Sequence, residues 1–359
     1  MSAMRVECQS LIEGCIVKKA VYSKSTRPLI PKGTIINTHH LKVLKAFLIP
    51  EVEIEAYLDN GEKFQGKEIK KRENQFNISN QTKPKSIADL YQQAVRGYAR
   101  SFSRWQGGTS IHMSSLRHDS LPLLRASLEK TDWIALKLIQ RDFVHDETQR
   151  AVGMGILSAF LANKLNYDHG DLLQIGIGGI LANCGLAKLP PSILSKYPHL
   201  KKEEKMAYEQ HPIQSYKMLK TVRTIKEGVR LGILEQHEYG DGSGYPLKLT
   251  RDKLHEFSHI YSTLETFLSL MKKENPIDAL NNLNKNYRFK LNTPTLDVFT
   301  IKVMELFLGY KVILSNGQTG EISYIPSSTP TEPFLKMDHD KVLVLNSDST
   351  INIEKFIVN

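Results

Sequence analysis

Apolar residues change their spacing twice along this chain, and each change marks a different kind of structure. From residue 5 to about 58 they alternate or cluster as in strands. Val6, the run 15–21 and the run 29–36 read as strands, punctuated by Gly14, Pro28, Pro31 and Gly33. Asn37 or Thr38 is placed to cap a short helix carrying Leu41, Leu44 and Leu48, and residues 52–57 alternate again. Residues 74–85 are polar with few large apolar side chains and read as a linker.

From Ser86 the period becomes helical and stays so for most of the chain. Val152, Ile156, Ala159 and Phe160 fall on one helix face, as do Leu296, Phe299, Val303 and Leu306. Residues 172–182 are apolar almost all round and include Gly176, Gly178 and Gly179, which predicts a central helix that lets its neighbours approach closely. After Gly309 strands return: residues 311–314, an Asn316-Gly317 turn and residues 321–325 form a hairpin pattern. A proline-rich loop at 326–333 leads to residues 342–345 and 351–358. The predicted fold is mainly α, with small β-rich modules at 1–83 (linker included) and 309–359 flanking a helical domain at 84–308.

Bulk properties narrow the class further. A length of 359 residues suits two or three units. No uninterrupted apolar stretch reaches the roughly 18 residues a bilayer span needs, and the first residues lack the pattern of a signal peptide. A soluble, cytoplasmic protein is the expectation. Cys8, Cys15 and Cys184 are too few and too scattered for a disulfide framework, and no CxxC pair suggests structural zinc. The net charge of +10 raises an anionic partner. Yet Lys67, Lys70, Lys71 and Arg72, in the basic segment 63–104, alternate with glutamates and lack interleaved aromatics, so they read as a solvated face, without a dedicated nucleic-acid motif.

The most informative stretch is QHEYGDGSGYP, residues 236–246. Three glycines, a serine and a proline define a tight loop after a helix, with His237 and Glu238 at the helix end. Asp241, Gly242, Ser243, Gly244, Tyr245 and Pro246 spell the second half of HHExxDGxGYP, and here the chain resembles the HD-GYP proteins of bacterial signalling, a likeness covering about residues 148–270. That resemblance implies an HD-type helical bundle and descent from metal-dependent cyclic di-GMP phosphodiesterases. In such sites clustered divalent cations activate water and neutralise charge on a phosphodiester, and an aspartate bridges two metals.

Placed one at a time, most of the ligands implied by the resemblance are replaced. The first histidine falls on Thr148 in TQRAV, and the eponymous His-Asp pair on Asn183 and Cys184 in ILANCGLAK, where Gly185 and Lys188 match. The histidine of an HPxxG-like segment is present as His211, although Ser215 replaces the glycine. Of the paired histidines only His237 survives, after Gln236, and the last aspartate falls on Glu265 in HIYSTLETFLSL. His211, His237 and Glu265 are the residual metal candidates. Two histidines and a glutamate are a known set for one zinc-like ion. The alternative is structural: His211 capping a helix, His237 bonding backbone and Glu265 pairing with Lys188. His145 is a further candidate on the face of Thr148, or an exposed histidine at a helix start. Lys188 is the implied phosphate contact, or a surface lysine. Cys184 reads as a packing residue, since a nucleophilic thiol needs a neighbouring base and a depressed pKa.

The resemblance therefore implies a degenerate HD-GYP protein, without a cofactor and without phosphodiesterase activity. It would sense cyclic di-GMP or dock a GGDEF-type or other signalling protein through the loop. The alternative is an active phosphodiesterase with a reduced site holding manganese, iron, magnesium or zinc.

Overall fold

The computed structural model describes residues 3–22, 28–47, 49, 51–65, 85–346 and 350–357. The basic run 67–72 and all but the last residue of the stretch read as a linker fall outside them. The chain divides into two compact units, Met1–Lys83 and Pro84–Asn359.

In the first unit β1 (Ala3–Glu7), β2 (Cys15–Val17), β3 (Val21–Tyr22) and β4 (Pro28–Ile30) precede helix α1 (Thr38–Ala46) and strand β5 (Glu51–Leu58). β5 lies between β1 and β2, antiparallel to both. Its Val52, Ile54 and Ala56 are buried while the intervening residues are more exposed, the period of two that the sequence shows. The strands over 15–21 and 29–36 are shorter than their apolar runs, because Pro31 and the turn at Gly33 interrupt the pairing. Asn37 is the residue that caps α1: its Oδ1 accepts from the His40 backbone N–H at 3.0 Å. Val6, Cys15, Val17, Ile30, Ile36, Leu44 and Ile54 form the core of this unit.

The second unit opens with α2 (Ile87–Gln106), started by a Ser86–Asp89 capping box. It continues with α3 (Met113–Glu129), α4 (Thr131–Ile139), α5 (Glu147–Lys164), α6 (His169–Leu181), a 3-10 turn at Cys184–Lys188, α7 (Pro191–Leu194), α8 (Lys202–Tyr208) and α9 (His211–Lys220). Then come α10 (Glu227–Leu234), α11 (Glu256–Leu270), α12 (Pro276–Asn286) and α13 (Thr293–Glu305). Strands β6 (Lys311–Leu314), β7 (Thr319–Tyr324), β8 (Phe334–Lys336), β9 (Val342–Val344) and β10 (Ile353–Ile357) form an antiparallel sheet in the order β10-β6-β7-β8-β9. The Asn316-Gly317 turn joins β6 to β7, with the Gly317 N–H donating to the Leu314 carbonyl at 2.8 Å. Val312, Leu314, Ile322, Leu335 and Ile353 of this sheet share one hydrophobic core with the helices.

The centre of that core is the α5–α6 pair. From Arg150 to Ala162 α5 is buried at every position, and α6 is buried from Ile175 to Leu181. The stretch His169–Lys188 has the length and apolar content of a bilayer span, and most of it is buried inside this unit as a core helix. Its glycines set the approach: a methyl group on Gly179 would meet the Met154 carbonyl oxygen at 2.8 Å and Gly155 Cα at 2.9 Å. We expect Gly179→Ala to force the two helices apart and cost about 1–3 kcal/mol, read as a lowered urea midpoint with an unchanged slope.

Candidate functional site

The residual candidates lie on three separate pieces of the helical unit. His211 begins α9, His237 follows α10 at the start of the glycine-rich loop, and Glu265 sits near the end of α11. His211 is fully buried, and its Nδ1 stands 2.8 Å from the Tyr208 carbonyl oxygen. A carbonyl only accepts, so Nδ1 carries the proton and Nε2 offers a lone pair. That Nε2 lies 3.2 Å from His237 Nε2 and 3.1 Å from the Asn183 side-chain amide, whose Nδ2 rather than Oδ1 must face an unprotonated ring nitrogen. Burial lowers the pKa of both imidazoles well below the usual range, so both rings are neutral at pH 7 and His237 donates to His211. Tyr245 of the loop stacks on His237, with ring centroids 4.5 Å apart at 14°.

Glu265 does not join the histidines. Its partner is Arg150 of α5: one guanidinium nitrogen holds Glu265 Oε1 at 2.6 Å, the Glu265 carbonyl at 3.2 Å and Ser269 Oγ at 2.9 Å. Arg150 and Glu265 are 3% and 7% exposed, so the pair is shielded from water. Burial alone would raise the Glu265 carboxyl, but the Arg150 charge beside it, helped by the two histidines, holds it well below the usual carboxylate range. The pairing of Glu265 with Lys188 is thereby corrected, because the buried arginine lies nearer in the fold. Lys188 Nζ donates instead to the Trp105 carbonyl at 3.0 Å.

The side chains that the sequence matched to the other ligand positions form hydrogen-bonding ties. Gln236 Nε2 and Ser215 Oγ both donate to the Ala182 carbonyl, at 2.9 and 2.8 Å, and Ser215 Oγ accepts from the Gly185 N–H at 2.8 Å. Together they bind the end of α6 to α9 and to the loop. Thr148 lies in the first turn of α5, where its N–H is capped by Asp146 Oδ1 at 2.8 Å. His145 lies before that cap, outside the helix and exposed, so it does not share a helix face with Thr148. His211 does not act as a cap either; Gln210 precedes the helix and the His211 ring points inward. Cys184 is fully buried and burial pushes its thiol up to about 12.

The loop itself is held by Glu238, a residue with no role in the sequence reading. Its buried carboxylate accepts from three successive backbone N–H groups, of Leu247, Lys248 and Leu249, at 2.5, 2.9 and 3.1 Å. Asp241 Oδ1 accepts from both the Ser243 N–H and Oγ. Gly244 is required by close approach: a methyl there would meet Glu238 Cα and the His237 carbonyl at 2.5 Å. Arg150 was also missed. Its signal was present, since TQRAV places one cation at the head of the otherwise uncharged stretch 150–162, and such a charge needs a buried partner.

A dinuclear centre of the HD kind needs anionic ligands that share two cations. The residues present do not fit one. Two neutral imidazoles face an amide, the bridging position holds a thiol kept protonated by burial, and Glu265, the carboxylate that remains at a ligand position, is bound to an arginine. Among the described residues no three His, Cys, Asp or Glu side chains gather as metal ligands.

Comparison with known proteins places this site in a family. Residues 135–289 match the HD domain family. A curated cyclic di-GMP phosphodiesterase of Borreliella burgdorferi is 23% identical over 209 residues, which are 56% of this chain and 55% of that protein. A cyclic di-GMP phosphodiesterase of Pseudomonas aeruginosa is 27% identical over 144 residues, 40% of this chain and 32% of that protein. The chain thus spans about half and about a third of the lengths of these two relatives. Among solved structures, an HDGYP protein from Bdellovibrio bacteriovorus aligns with TM-score 0.45 and 15% identity over 83% of this chain and 98% of that one. A cyclic GMP-AMP specific phosphodiesterase of V. cholerae aligns with TM-score 0.36 and 13% identity over 48% and 47%. The helical unit is an HD domain. Residues 135–289 thus match an HD domain, and the two curated relatives are cyclic di-GMP phosphodiesterases.

Two measurements check this site. Glu238→Ala leaves three backbone donors without their acceptor, so the amides of Leu247, Lys248 and Leu249 should exchange with deuterium at least about tenfold faster. Cys184 should resist a thiol reagent at pH 8 in the folded protein and react once urea unfolds it, since the thiolate is the reactive form.

Proposed function

We propose that this chain is a degenerate HD-GYP signalling protein that binds rather than cleaves. The observation that carries the reading is the Arg150–Glu265 ion pair. It commits the carboxylate left at a ligand position to an internal cation, while thiol and amide stand where a bridging carboxylate and an imidazole would be required. The GYP loop, by contrast, is held by the Glu238 carboxylate, the close approach at Gly244 and the Tyr245–His237 stack. A loop held in this way needs no ion to present Asp241, Ser243 and Tyr245 to a partner, a GGDEF-type or other signalling protein. For a nucleotide such as cyclic di-GMP, the support is a cleft beside α9 lined by Lys188, Gln210, Gln214 and Lys217 together with Leu189, Ala207 and Met218, whose two lysines carry positive charge.

One observation favours the second reading, a reduced metal-dependent phosphodiesterase. Two nitrogens held by one tetrahedral ion at roughly 2.1 Å lie about 3.4 Å apart, close to the 3.2 Å between His211 and His237. Turnover decides between them. The purified chain, supplied with manganese, iron, magnesium or zinc, should release no linear dinucleotide or GMP from cyclic di-GMP, while calorimetry with the same nucleotide reports binding. Sustained release that disappears in His237→Ala would overturn the proposal.

A further inference from the structure

Phe289 stands further into solvent than any other large apolar side chain among the described residues, at 86% exposure. The backbone beneath it is pinned. Arg251 Nη2 donates to the Phe289 carbonyl at 2.8 Å, the Gly240 N–H donates to the Lys290 carbonyl at 2.7 Å, and the Arg251 N–H donates to the Gly240 carbonyl at 3.2 Å. The turn after α12 is thereby stitched to the root of the GYP loop and to the 3-10 turn Arg251–Lys253. Space there is tight: a methyl group on Gly240 would meet Arg251 Nε at 3.0 Å and the Lys290 carbonyl at 3.3 Å. A backbone shift that drew the ring under the surface would break these bonds.

We propose that this stitched corner is a membrane-contact site, in which Phe289 enters the surface of an anionic lipid bilayer while the cations around it meet the lipid phosphates. The inference goes beyond the silent-domain reading and does not depend on it.

Charge selects the occupant. Lys248, Arg251 and Lys253 are exposed and Lys290 is half-buried, against two carboxylates, Asp241 and Asp252, each of which accepts from a neighbouring hydroxyl. Arg288 is paired with Asp297 at 2.7 Å and adds nothing to the balance. The corner is therefore positive, in a chain whose net charge is +10. Lys290 Nζ lies 5.3 Å from the centroid of the Tyr239 ring, which holds that cation at the corner. An anchor for a protein partner sits in a well-packed, desolvated cluster. Here the other exposed apolar side chain of these segments is Leu247, at 46%, and the neighbours in sequence are mostly charged. An aromatic ring flanked by lysine and arginine suits a lipid interface, with the ring at the acyl boundary and the cations on anionic headgroups. A single nucleic-acid strand asks for successive aromatic faces to stack on, and the nearby Tyr239 is covered by Lys290.

Sedimentation of the full chain with sucrose-loaded vesicles tests this. Wild type should pellet with vesicles of mixed phosphatidylglycerol and phosphatidylcholine and stay in solution with phosphatidylcholine alone. Phe289→Ser should weaken binding at least about fivefold with unchanged circular dichroism, since the ring lies outside the core. Lys253→Glu should weaken it by about fivefold or more, and added salt should do the same. Phe289→Trp should keep binding, and its added indole emission, read as the difference from wild type, should shift to the blue on the anionic vesicles alone.

The inference is overturned if wild type ignores anionic vesicles, if Phe289→Ser binds them as wild type does, or if the added indole shows no shift. Binding of a single-stranded oligonucleotide that depends on Phe289, with vesicles ignored, would assign the corner to nucleic acid instead. Turnover of cyclic di-GMP tests the silent-domain reading separately, and none of these outcomes bears on it.

Discussion

Two opposite charges buried between helices hold the centre of this protein. α5 is buried from Arg150 to Ala162 and α11 from Ile260 to Leu268, and in these faces Arg150 and Glu265 are the charged side chains. Neither has water to solvate it. Losing one partner of such a pair costs about 3–5 kcal/mol, because the other stays buried and uncompensated. The ion pair therefore ties α5 to α11.

Around that pair the other substituted positions follow one logic. The side chains at these positions hydrogen-bond to one another or to backbone. The Ala182 carbonyl receives both Gln236 and Ser215, and the Ser215 hydroxyl in turn receives the Gly185 N–H. His211 is held between the Tyr208 carbonyl and His237. These ties join α6, α9 and the loop after α10, so the segments that a metal would gather stay together by neutral bonds.

Much of the fold could be read from residue spacing. The α5 and α6 faces, the close helix approach at Gly179, the Asn316-Gly317 hairpin and the Asn37 cap all rest on local rules of period, turn chemistry and capping. The GYP loop was legible because its glycines and proline follow from backbone geometry that few other residues satisfy. What escaped was pairing across the fold. Glu265 was matched to Lys188 although its partner is Arg150, 115 residues away. Spacing along a helix says that a charge is buried but not which distant helix supplies the counter-charge. Glu238 was passed over for a related reason: a glutamate at a helix end looks like solvent-facing punctuation until the chain folds back and aims three N–H groups at it.

The loop and the ion pair answer to different physical demands, which is why one can persist while the other changes. Glu238, Gly244 and Tyr245 hold the loop against the end of α10 through contacts that close within about a dozen residues. Such short-range closure costs little chain entropy and depends weakly on what lies deeper in the bundle. A metal centre is the opposite case, needing ligands from several helices and a balance of charge among all of them. The Arg150–Glu265 pair balances charge inside the bundle independently of the loop. Under that view the loop is retained for its own shape, as a surface that the helical unit displays, and the buried pair is what keeps the helices beneath it in place.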